Sequence, residues 1–140
     1  MQQLNLLFKI ATAIAMLGWA LIIAAPGWAL TGKVVSTGVA GLLAVLYVYL
    51  LVGARRLDTE QVRGSCASLK GVISLFKSPR VILAGWVHFL AFDLMVALWI
   101  RADAAPLGLS HWWLIPIYLL TLMFGPAGLL VYLLVRTGIS

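Results

Sequence analysis

Asp93 and His88 lie five residues apart inside the stretch Val81–Ile100, where nearly every other side chain is apolar. A carboxyl and an imidazole are the groups most often used to move protons in catalysis, one as acid and the other as base. At the centre of a bilayer a carboxylate costs roughly 2.5–3.5 kcal/mol on insertion scales, whereas leucine or valine inserts favourably. Five residues is about 140° around an ideal helix, so the two side chains do not touch and each needs a partner elsewhere. Arg101, Asp103 and His111 follow just beyond the stretch. Their placement predicts a cluster at its far end, ringed by Trp99, Trp112 and Trp113. Each group also has a plainer reading: Asp93 and His88 as hydrogen-bonding ties between helices, and Arg101–Asp103 as an interface ion pair. The spacing of His88, Asp93, Asp103 and His111 fits no tight metal site, and the two histidines fall at different depths, which argues against a bis-histidine haem. No metal or cofactor is expected.

Positioning these residues is a matter of long apolar helices. The chain of 140 residues is 64% hydrophobic and only 10% charged, with a mean hydropathy of +1.08. Soluble domains carry about 25% charged residues. A spanning helix needs about 20 mostly apolar residues, and four runs qualify, at about 4–25, 34–54, 81–101 and 112–136. They predict an all-α integral membrane protein: a four-helix bundle forming a single transmembrane domain over residues 1–140. The net charge of +6 does not point to nucleic acid, because the basic residues concentrate in one loop. Arg55, Arg56, Arg63, Lys70 and Lys77 lie between the second and third runs, with Arg80 at the start of the third. The excess of basic residues puts the 55–80 loop in the cytoplasm, with both termini on the same side, Lys9 and Arg136 agreeing. This loop is also suited to anionic lipid. Cys66 is the only cysteine, which leaves no intrachain disulfide. The first run begins before Lys9 and is too long for a signal-peptide core, so a retained helix in a bacterial inner membrane is expected.

Local signals refine these elements. Ala25–Pro26–Gly27 ends the first helix, and Trp28 suits the interface. Gly38 and Gly41 in the second would allow close packing. Within Ser65–Phe76, Leu69, Val72, Ile73 and Phe76 recur at helical spacing, which predicts a short amphipathic interfacial helix between helices 2 and 3, ended by Ser78–Pro79. The fourth run holds Pro116 in its first turns and Phe124–Gly125–Pro126–Ala127–Gly128 in its middle. These predict a kink near Thr121–Leu122 that faces the bundle interior, since irregular backbone at membrane depth survives only inside protein or beside a wet cavity. At about 1.5 Å per residue, Gly125 lies about 20 Å below Trp112 and meets the third helix between the levels of His88 and Asp93. The freed carbonyls, the Thr121 hydroxyl and the intramembrane polar groups would then share one pocket.

The residues Gly85–Trp86–Val87–His88–Phe89–Leu90–Ala91–Phe92–Asp93–Leu94 are followed by Trp99–Ile100–Arg101–Ala102–Asp103 and by Ser110–His111. After Pro116 comes Leu120–Thr121–Leu122–Met123–Phe124–Gly125–Pro126–Ala127–Gly128–Leu129–Leu130. This series, over roughly Leu75 to Arg136, resembles the abscisic-acid-deficient-four-like membrane family, whose plant members are required for neoxanthin formation. Phe89 stands where the family pattern has tyrosine. The first two helices agree with the family only in type. The resemblance implies a carotenoid or related apolar isoprenoid as partner in the lipid bilayer, and an acid–base isomerisation of the neoxanthin synthase kind. Asp93 would be the acid and His88 the base. Trp86, Arg101, Asp103, His111, Thr121, Gly125 and Pro126 would contact the substrate. A homo-oligomer is compatible with this reading, and so is a non-enzymatic carotenoid-binding or assembly partner in which the buried polar residues only fix helix packing. A small transporter ranks third, since the halves show no inverted repeat.

Overall fold

The computed structural model describes residues 1–57 and 67–139, and among these the secondary structure is helical without strands. Helix α1 covers Gln2–Ala24. It stops at Ala25, whose N–H still reaches the Leu21 carbonyl at 3.0 Å, because Pro26 cannot continue the ladder. Helix α2 runs without interruption through Thr31–Lys33, a π-helical segment Val34–Val39, and Ala40–Leu57. In the π segment the Ala40 N–H bonds the Val35 carbonyl, five residues back. Helix α3 is the short Leu69–Leu75, α4 is Pro79–Ala104, α5 is His111–Met123 and α6 is Gly125–Ile139. The predicted interfacial helix is therefore present in its second half. Ser68 caps it by accepting a hydrogen bond from the Gly71 N–H at 3.1 Å. The beginning of that predicted helix, with Cys66, lies outside the described residues, as does Arg63.

Three helices are long and apolar enough to cross a membrane: Gln2–Ala24, Thr31–Ala54 and Pro79–Ala104. They form the core. On α4, Ala84, Val87, Ala91 and Leu94 recur every three or four residues and are buried against α1 and α2. The small alanines bring the helix backbones close, which is how apolar helices gain contact energy where water supplies no driving force. Gly38 and Gly41 take no part, because an added Cβ at either would meet nothing within 4 Å.

The fourth predicted span does not form as one crossing helix. Its place is taken by α5 and α6, of 13 and 15 residues, each about 20 Å long against the roughly 30 Å of a hydrocarbon core. The chain does not merely kink near Thr121–Leu122; it reverses at Phe124, whose φ of −144° and ψ of 71° leave the helical region. An added Cβ at Gly128 would lie 2.6 Å from the Thr121 backbone nitrogen and 2.7 Å from its Cα. Residues seven apart on one straight helix are separated by about 10 Å, so α6 folds back beside α5. Pro126 falls in the first turn of α6, where a missing N–H costs little. Long-range contacts confirm the direction. The first turn of α6 meets Asp93 and its later turns meet Trp99 and Asp103, so α6 ascends α4 toward the Ala104 end.

The two chain ends are accordingly at opposite ends of α4. Met1, Leu4 and Asn5 share a surface with Pro79 and Ile82, whereas Arg136 pairs with Asp103. The expectation of both termini on one side rested on four crossing runs, of which three form helices long and apolar enough to cross a membrane.

Candidate functional site

Asp93 lies near the middle of α4, and its side chain projects at the tip of the α5–α6 hairpin. The hairpin tip and α4 enclose a cavity of about 240 Å³ bounded by Trp86, Phe89, Leu90, Asp93, Met123, Phe124, Gly125 and Pro126. Its walls are apolar apart from the carboxyl. Gly125 is buried, and a Cβ there would collide with Asp93 Oδ1 and stand 2.9 Å from its Cγ. Lack of a side chain at residue 125 is thus what allows the first turn of α6 to rest on the carboxyl. That turn is the positive end of a 15-residue helix dipole. Among the described residues no group donates a hydrogen bond to Asp93. The plainer reading of Asp93, as a hydrogen-bonded tie between helices, has no partner to support it.

The sequence places the Gly125–Pro126 break between the levels of His88 and Asp93; in the structure it meets Asp93, and Trp86, Gly125 and Pro126 join Asp93 in one cavity. Thr121 does not: it is buried, and its hydroxyl donates to the Ile117 carbonyl at 2.8 Å within α5. His88 is also elsewhere. Its ring stacks on Phe92 at 4.5 Å between centroids and sits 5.7 Å from the Tyr47 ring of α2. His88 therefore occupies a different face of α4 from Asp93, as five residues of helix require.

The predicted cluster of Arg101, Asp103 and His111 is dispersed among four partner residues. Arg101 donates to the Pro26 carbonyl just after α1. His111 Nε2 lies 2.8 Å from the Ile23 carbonyl, near the exposed end of the same helix. Asp103 turns to α6, accepting from the Tyr132 hydroxyl at 2.6 Å and from Arg136 Nε at 2.7 Å. Arg101 and Asp103 both belong to α4 and are two residues apart, so they point to different sides. These contacts fasten the Ala104 end: Arg101 and His111 hold the end of α1, and Asp103 holds the returning helix.

Several contributors escaped sequence reasoning. Leu122, Met123 and Phe124 line the cavity; their signal was adjacency to the Gly–Pro break, read as a kink and not as a tip. Tyr132 and Arg136 carried no pattern that tied them to Asp103. Tyr47 beside His88 likewise had no signal in the sequence.

The arrangement is that of an all-helical protein whose long apolar helices suit a membrane, with one carboxyl that accepts no hydrogen bond among the described residues at the tip of the α5–α6 hairpin. The chain matches the ABA DEFICIENT 4-like family over residues 6–132 and belongs to that family. The match begins in α1 and ends in α6, so it takes in the first two helices, where motifs alone showed agreement only in type. Comparison with curated proteins and with solved structures gives no match in either set. Family membership and the apolar helices are together compatible with a membrane protein of carotenoid metabolism.

Proposed function

We propose that this protein binds a carotenoid or related apolar isoprenoid at the Asp93 cavity and rearranges it by acid–base chemistry. The observation that carries the reading is Asp93 itself. It is a carboxyl without a hydrogen-bond partner among the described residues, in an apolar cavity whose rim residues Phe89, Met123 and Phe124 are largely exposed on the outer surface. In a bilayer that surface meets lipid, so a polyene reaches the carboxyl sideways without passing through water.

For an isoprenoid epoxide the reaction balances without redox change. The Asp93 carboxyl gives its proton to the epoxide oxygen as the C–O bond breaks. The resulting carboxylate then removes a proton from a carbon next to the cationic centre, forming the new double bond and restoring the acid. One carboxyl completes the cycle, which suits a site where His88 faces Tyr47 and Phe92 instead of the cavity. The first turn of α6 beside Asp93 favours negative charge as the proton leaves.

The test is expression in a carotenoid-producing host with chromatography of the pigments. The wild type should yield a rearranged isomer, and Asp93→Asn, which keeps shape but cannot transfer the proton, should abolish it while the protein still accumulates in the membrane. Pigment that copurifies unchanged with both proteins would support the non-enzymatic carrier instead. Loss of Asp93→Asn from the membrane would mark Asp93 as a folding residue and sink the catalytic reading.

A further inference from the structure

The half-depth hairpin leaves a vacancy. A crossing fourth helix would have continued past Phe124 along the lower half of α4; since α6 turns back, that face of α4 stays open. Ile82, Trp86, Phe89 and Asp93 follow one another at intervals of four, three and four, which is a single stripe on a helix. Ile82 is 51% exposed, Trp86 42% and Phe89 60%, so the stripe is open below the hairpin tip that rests on Asp93. A second cavity, about 210 Å³, lies on it toward the Pro79 end, with Leu4, Asn5 and Phe8 of α1 as its far wall. Trp86 borders both cavities. Its indole lies across the junction, 5.6 Å from the Phe8 ring and with Nε1 donating to Thr12 Oγ1 at 3.4 Å.

We infer that the two cavities form one groove for a single elongate isoprenoid, its reacting end at Asp93 and its chain running past Trp86 toward Asn5. This rests on the isoprenoid reading above and adds the direction and length of the bound molecule. The run from Asp93 to Pro79 is about 21 Å, far more than the Asp93 cavity alone accommodates. The walls are apolar until the Asn5 amide and the chain start, so a ligand with a hydrogen-bonding group at its far end matches both ends. Trp86 is a specificity-determining residue in this arrangement: it sets the bend and width at the point where the chain leaves the Asp93 cavity.

The experiment uses the full chain, with zeaxanthin as the long ligand and retinol as a short one with a similar ring end, and reads the ligand retained after purification. Ile82→Trp and Leu4→Trp fill the lower cavity from opposite walls. Each should cut zeaxanthin retention about tenfold and leave retinol within about twofold. Met95→Trp, which fills a separate surface groove between Phe92, Trp99 and Leu133, should change neither. Unchanged zeaxanthin in the two lower-cavity variants overturns the proposal, as does a loss of both ligands together. A loss caused by Met95→Trp instead would place the chain toward the Ala104 end, against the inference. Loss of copurifying phospholipid alone would identify the occupant as a bilayer lipid and equally refute it. If the wild type retains neither ligand, the isoprenoid reading falls as well; retention of both, insensitive to Ile82→Trp and Leu4→Trp, removes only the groove.

Discussion

Adding one methyl group at Gly125 and at Gly128 should have opposite kinds of consequence, although the two glycines are three residues apart on the same turn of α6. A Cβ at residue 125 meets the end of a side chain, the Asp93 carboxyl, with Cγ at 2.9 Å and Oδ2 at 3.4 Å. That carboxyl can swing away by a partial change of rotamer, at about 0.5–1.5 kcal/mol. Gly125→Ala should therefore fold with its melting temperature lowered by only a few degrees. On the proposed acid–base chemistry activity should suffer more, because a reacting group displaced by about 1 Å can cost about a hundredfold in rate. A Cβ at residue 128 instead meets the Thr121 backbone, 2.6 Å from N and 2.7 Å from Cα. Backbone inside a helix cannot step aside, so the hairpin must splay, at about 3 kcal/mol or more by the upper range for overpacked sites. The assay pairs thermal unfolding of the purified proteins, followed by tryptophan emission, with pigment chromatography. The expected result is near-native stability with at least about tenfold less product for Gly125→Ala, and markedly lower stability for Gly128→Ala. Full product from Gly125→Ala would refute the role of Asp93 at the hairpin tip; a stable Gly128→Ala protein would refute the reversal at Phe124.

Two further outcomes follow from the fold. Single cysteines at Gln3 and Gly138, in a Cys66→Ser background, should react with a membrane-impermeant thiol reagent from opposite sides of sealed vesicles; labelling from the same side would restore a crossing fourth helix. Tyr118 is fully buried, and its hydroxyl has no hydrogen-bond partner among the described residues. Since a buried unpaired hydroxyl costs about 1–3 kcal/mol, Tyr118→Phe should leave the melting temperature unchanged or raise it, and a drop of several degrees would reveal a bound partner such as water.

Much of this arrangement was legible in the residues. Composition and run length located the three long helices, and Ser78–Pro79 marked the start of α4 within a residue or two. Counting 1.5 Å per residue down the fourth run put Gly125 between the levels of His88 and Asp93; it lies against Asp93. The same arithmetic could not tell whether the chain continued or returned, because hydropathy has no direction. Twenty-five apolar residues serve equally as one crossing helix or two half-depth ones. What decides is the close approach of Gly128 to Thr121 and the capture of Arg136 by Asp103, both of which are tertiary. The separation of Arg101 from Asp103 is available from helical geometry once α4 extends to Ala104; placing Asp103 beyond the end of the helix conceals it. His88 and Asp93 belong to different faces by the same geometry, and the structure adds only the identity of the neighbour, Tyr47.

The hairpin also gives the molecule a taper. Toward the Ala104 end the long helices α1, α2 and α4 are joined by α5 and α6; below the level of Asp93 neither of these continues along α4, and only the short α3 lies nearby, with Phe76 just after it against Gly85. In a bilayer such a body takes more lateral area from one leaflet than from the other. The lipid around it must make up the difference, with acyl chains crowding into the narrower half or the membrane bending toward it. A curved or thinned membrane relieves that mismatch, and so does a bulky apolar guest lying where the missing half-helix would have been. On the groove proposed above, leaflet asymmetry and ligand uptake would be two responses to the same deficit of volume.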